Sequence, residues 1–305
     1  MSRNKTLIIC LIFIFPVLVI SSCRQEQEQV FTIVSGYEGM AAYVDAVNSD
    51  PDADLDALYQ EYVVDPYWKE CASGGEYKVI AKTAVANPIK DINGLTENIK
   101  AIEDANIEQI IEGALRKSAD ILPGPDTTVC IFSSDPEISW ERMHGVTSFT
   151  AGAGKIWVRL SPEKDWLDWI PYTIAHEYHH SVWTDQYFKW YKRSTLLDYL
   201  IFEGKADSFA HLIYPDMIAP WTTAISSYQE TRQWKKISED LEITNLEKQR
   251  EYMFGSRSES IPTWSGYTIG FHIVQKFIEN HPEAVIEDWT AMDAKEIYEA
   301  SGYDN

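Results

Sequence analysis

His176-Glu177-Tyr178-His179-His180 constrains this chain more than any other stretch. His176 and His180 lie four positions apart, and a helix puts such residues on one face, one above the other. Two imidazoles so placed can grip one metal ion. Glu177 stands one position along, close enough to act on a water at that ion without binding the ion itself. This is the ligand-and-base spacing that metal-assisted hydrolysis needs. A zinc ion that does chemistry takes three protein ligands and keeps a fourth position open. A His, Asp or Glu on a second helix is therefore expected downstream.

Such a helix is readable after residue 194. The Ser194-Thr195 hydroxyls suit an N-cap. Leu196, Leu197, Leu200, Ile201, Phe209 and Leu212 then form an apolar stripe at helical spacing, and Pro215 ends it. Within it stands Glu203-Gly204-Lys205-Ala206-Asp207, with Glu203 at 203 − 180 = 23 positions after the second histidine. Gly204 and Ala206 are small enough to let the two helices approach closely. Asp207 shares a face with Glu203 and is placed to accept a hydrogen bond from the ring nitrogen of His176 that faces away from a metal. His179 also shares a face with His176, three positions along, and is read as a structural or cleft-wall residue. Spacing alone leaves Glu203 as one ligand candidate among several.

At these residues the chain resembles the gluzincin metallopeptidases, which pair H-E-x-x-H with a downstream E-x-x-x-D. It is more similar still to a bacterial family of predicted zinc-dependent proteases, the YjaZ-like group, with H-E-x-x-H-S and E-G-x-A-D. Here those positions are His176, Glu177, His180, Ser181 and Glu203, Gly204, Ala206, Asp207. The resemblance covers about residues 100–305, with only the two motifs specific. It implies a Zn2+ ion held by His176, His180 and Glu203, Glu177 as general base, and Asp207 behind a ligand. It also implies a donor for the oxyanion from the downstream region, for which Tyr267 and His272 both qualify. Finally, it implies an edge strand before the metal helix that binds substrate backbone by strand addition. That role falls to Lys155–Leu160, with Trp157 and Val158 against a peptide or protein substrate.

The first residues bear on location. Arg3 and Lys5 precede an apolar run over residues 7–20, too short for an ordinary transmembrane helix. Ile20-Ser21-Ser22-Cys23 resembles the lipobox of bacterial lipoproteins. The expectation is a signal peptide over residues 1–22, lipidation of Cys23, and a chain held to a membrane by its lipid anchor in the bacterial cell envelope, outside the cytoplasm. Cys71 and Cys130 remain, either as one disulfide or as two buried thiols. With 26 basic against 47 acidic residues, the chain lacks the positive surface that nucleic acid requires, so no nucleic-acid partner is expected.

The pattern along the chain reads as an α+β fold. It is mostly helical, with a small mixed sheet packed on the H-E-x-x-H helix and a helical C-terminal subdomain. A polar tether is expected over residues 23–35 and a helical region over 36–125, with apolar periodicity at 41–47, 55–62 and 99–119. The acidic run 50–56 superficially matches a calcium loop. It has Leu55 where the sharp turn needs Gly, and an acidic helix start explains it better. Pro123-Gly124-Pro125 marks a boundary, followed by strands at 127–132, 146–150 and 155–160. The catalytic core is expected over 126–215, and 216–305 as helices, one opening at Ser265 and running to about Asn280. Two other readings stay open. A zinc-containing peptide- or protein-binding lipoprotein would lack turnover, and a solute-binding lipoprotein would lack stoichiometric metal.

Overall fold

The computed structural model describes residues 29–303. Four strands form one sheet: β1 (Phe31–Val34), β2 (Thr127–Ser133), β3 (Val146–Gly152) and β4 (Lys155–Leu160). Their order is β1-β2-β4-β3, with the first two pairings parallel and the last antiparallel. The sheet is thus small and mixed, as the sequence suggests, and the fold is α+β.

Before the sheet's second strand come α1 (Gly36–Ser49), α2 (Leu55–Tyr59), α3 (Asp65–Cys71), α4 (Lys78–Ala84), α5 (Ile92–Glu103) and α6 (Ile107–Ala119). After β4 come α7 (Trp166–Tyr187), α8 (Leu196–Ile213), α9 (Ser227–Ile237) and α10 (Leu246–Phe254). The chain closes with α11 (Ser265–Asn280), α12 (Ile286–Ala291) and α13 (Ala294–Ser301). Helix α7 packs between the sheet edge and α8, and α11 lies against α8 on its other side. One continuous apolar core runs from α1 through the sheet to α13.

Local chemistry accounts for the element ends. Asp54 caps α2, its carboxylate accepting from the Asp56 and Ala57 amides, so the acidic run is a helix start. Thr195 and Asp198 form a reciprocal capping box at the start of α8.

Several expectations need correction. The tether over residues 23–35 is shorter at its C-terminal end, because residues 31–34 are an outer strand and Gln29 already accepts from the Tyr178 hydroxyl at 3.0 Å. The apolar run 99–119 is two helices, broken where Asn106 takes a left-handed backbone. Lys155–Leu160 is an interior strand paired on both sides, so it offers no edge to a substrate. The edge is β3. The Cys71 and Cys130 sulfurs, left open in sequence, are bonded to each other. Residues 1–22 and Cys23 lie outside the described residues. No helix among the described residues is long and apolar enough to cross a membrane.

Candidate metal centre

Helix α7 presents His176 and His180 one turn apart, and α8 brings Glu203 against both. Glu203 Oε2 lies 3.3 Å from His176 Nε2 and 3.3 Å from His180 Nε2. Two ligands bonded to one zinc at about 2.0–2.1 Å in a tetrahedral set stand about 3.3 Å apart. Both separations from Glu203 are therefore those a shared zinc ion imposes, the three donors all lie within 4.8 Å of one another, and among the described residues they are the one such cluster of His, Cys, Asp or Glu. The donor set of two imidazoles and one carboxylate suits zinc and leaves room for a fourth ligand. The side chains of His176 and Glu203 each keep 10% exposure, so the cluster is recessed but reachable.

The supports behind the ligands differ. Asp207, one turn after Glu203, holds His176 Nδ1 at 3.0 Å. The Trp221 indole N–H donates to the same Asp207 oxygen at 2.8 Å, and the Tyr172 hydroxyl reaches it at 3.3 Å. Such a carboxylate–imidazole pair fixes the ring's tautomer and orientation. His180 has no equivalent partner at Nδ1. Its ring is instead stacked on Phe202 with centroids 3.9 Å apart.

The electrostatics suit a cation. Burial works against protonating His176, but the Asp207, Glu203 and Glu177 carboxylates outweigh it and hold its pKa well above the ordinary value. Burial raises Glu203, and the two imidazoles more than reverse this, bringing its carboxyl down to about 2.

Glu177 is held from the sheet. The Ser148 hydroxyl donates to its Oε1 at 2.7 Å and the Thr150 hydroxyl to its Oε2 at 2.8 Å. These residues are two apart on β3 and so share the face toward α7. Sequence reasoning missed this pair. The visible signal was alternating polar side chains, Ser148 and Thr150, on one of the two strands that precede the metal helix. It also missed Trp221 and Tyr172, for which an indole and a phenol offer no spacing rule.

Of the other expected site residues, Tyr267 on α11 feels the charges of the centre's carboxylates. Burial first, then the charges of Glu203, Asp207 and Glu177 and the neighbouring Tyr199, push its phenol well above the ordinary value. It shares a side-chain hydrogen bond with Tyr199. His272 is turned elsewhere on α11, with Nδ1 2.8 Å from Glu230 on α9. Trp157 and Val158 are buried, at 2% and 0% exposure, and cannot touch a substrate. Trp157 instead stacks on Phe132 and Phe149 and donates to the Cys71 carbonyl. His179 is structural, its Nε2 3.2 Å from the Thr290 hydroxyl. Buried Lys205, driven down to about 7 by desolvation, donates to the Thr290 and Met292 carbonyls, so both side chains fasten α12 to the centre. Gly204 does not serve the α7–α8 contact expected of it. It faces α11, where a Cβ would lie 2.2 Å from the Gly270 carbonyl oxygen.

Residues 107–299 match the model of a family described as "Predicted Zn-dependent protease (DUF2268)". Two proteins of Bacillus subtilis (strain 168) are similar. The uncharacterized protein YjfC is 26% identical over 231 residues, covering 70% of this chain and 76% of its own length. The uncharacterized protein YjaZ is 29% identical over 159 residues, covering 51% of this chain and 60% of its own. No solved structure matches.

Proposed function

The chain belongs to the family of predicted Zn-dependent proteases, and we propose that it is an extracytoplasmic zinc peptidase that hydrolyses peptide bonds while anchored to a bacterial membrane through Cys23. One observation carries the catalytic part of this reading. A zinc-spaced His176–His180–Glu203 cluster stands beside a carboxylate, Glu177, that is held by hydroxyls rather than by the cluster.

When bound by these three side chains, zinc would supply Lewis acidity to a water and to the scissile carbonyl. Glu177 takes the proton of the attacking water on a carboxylate oxygen and returns it to the leaving amine. Ser148 and Thr150 fix the direction in which that carboxylate faces. The Tyr267 phenol, which keeps its proton because its pKa is raised, donates to the oxyanion of the tetrahedral intermediate. Asp207 keeps His176 oriented. Substrate backbone adds to β3, the outer strand that carries Ser148 and Thr150, ahead of Ala151, whose carbonyl already accepts from the Tyr77 amide.

A peptide-library digest with and without a zinc chelator tests the activity. The Glu177→Gln variant is expected to keep one zinc per chain and to lose about 10²–10⁴-fold in kcat. A digest that shows no cleavage by zinc-loaded protein would sink the peptidase reading and leave a zinc-containing binding protein.

A further inference from the structure

The far face of the sheet carries an arginine with no ion-pair partner among the described residues. Ser148 and Thr150 face α7, and their partners on β4 are Val158 and Ile156. Successive residues of a strand point to opposite faces, so Arg159 points away from the metal centre. It lines a cavity of about 190 Å³ between the sheet and the N-terminal helices. Its Nε is buried and has no hydrogen-bond partner, and none of the ion pairs among the described residues includes it. One side of the guanidinium lies over the Trp140 ring, 5.7 Å from its centroid. Burial lowers the Arg159 pKa, and the Tyr59 phenol is the group that offsets this.

A guanidinium keeps its charge in proteins. The residue is half-buried and only its Nε is fully enclosed, so the guanidinium is partly withdrawn from water with no carboxylate beside it to compensate. In a chain of net charge −21, carboxylates are plentiful, yet none among the described residues forms an ion pair with this group. Asp135 lines the same cavity without forming an ion pair with it. The rest of the lining combines aromatic walls, Tyr59 and Phe132, with the small polar groups of Asn87 and Ser133. An apolar body with one anionic head matches both parts. The volume falls below the roughly 300–1,000 Å³ that takes drug-sized ligands, so the occupant is small.

We propose that this cavity is a second ligand site, separate from the metal centre, that binds a small organic carboxylate with its head on the Arg159 guanidinium and its apolar body against Tyr59 and Phe132.

Benzoate is a suitable probe, with benzamide as its neutral counterpart, read by thermal shift and tryptophan fluorescence on the full protein. Benzoate is expected to give a saturable shift that survives a zinc chelator, because the site lies on the opposite face of the sheet from His176. Benzamide is expected to give none. Arg159→Met should weaken binding about tenfold or more, and Arg159→Lys less. Asp135→Asn removes a like charge from the cavity and should tighten benzoate about threefold; it keeps the test open if Arg159→Met does not fold. The proposal is overturned by no saturable response to benzoate, by equal responses to benzamide, by a response that chelation abolishes, or by saturation with inorganic phosphate alone.

Discussion

Tyr267 on α11 feels the charges of Glu203, Asp207 and Glu177, while His272, five residues later, is spent on Glu230. Five residues turn an α-helix through about 500°, so the two side chains lie on different faces. Their variants should therefore separate. Tyr267→Phe is expected to lower kcat about 10²–10³-fold with KM and zinc content little changed. His272→Ala should leave kcat near wild type and lower thermal stability. A Tyr267→Phe enzyme with full kcat would remove the phenol from the mechanism. Most of the centre was legible at this scale, because ligand chemistry imposes spacing. His176 and His180 share a face as their interval suggests, and Glu203 and Asp207 meet them as the family resemblance implied. The residues that steady them were less so. Ser148 and Thr150 reach Glu177 through strand placement, and Phe202 steadies His180 by stacking. The first leaves only a two-residue alternation of hydroxyls in the chain, and the second leaves no periodic trace.

Among the elements, α8 and α11 cross with almost nothing between them. A Cβ at Gly204 would meet the Gly270 carbonyl oxygen at 2.2 Å, and one at Gly270 would meet the Leu200 carbonyl oxygen at 2.2 Å. This contact sits one residue from Glu203 and one turn from Tyr267, so it sets the distance between ligand and phenol. Gly204→Ala should force the helices apart at a cost of about 1–3 kcal/mol or more. Its zinc affinity should fall too, although no ligand has changed. Thermal unfolding and a zinc titration check both. The long helices and three of the strands were readable from apolar periodicity and caps. The four-residue strand β1 is too short to show a period. The break at Asn106 carries no Gly or Pro to announce it. Strand order cannot be read from the alternation within any one strand, which is why β4 was mistaken for the edge.

For the molecule as a whole, two long-range ties matter. The Cys71–Cys130 disulfide spans 59 positions and joins α3 to β2. Closing a loop of that length corresponds to about 4 kcal/mol in the chain-entropy model. Reducing agent or Cys71→Ser should therefore lower the unfolding midpoint markedly, as calorimetry would show. The second tie is Glu230. Burial raises its carboxyl, but hydrogen bonds from His272 and Tyr303 outweigh this and hold it below the usual range. A carboxylate held low in the folded state contributes fully above its unfolded value, near ~4.3, and loses that contribution as pH falls through the folded one. The difference in melting temperature between wild type and Glu230→Gln should thus be widest above about pH 5 and close as the pH drops below about 4. A gap that widens in acid would contradict this account.

The first strand has a further consequence for the proposed attachment at Cys23. Eight peptide units separate Cys23 from Phe31, where the sheet begins. Fully stretched, they reach at most about 26–29 Å. An attachment on so short a leash would hold the body against the lipid surface and would confine any substrates to polypeptides that come within one protein diameter of the bilayer.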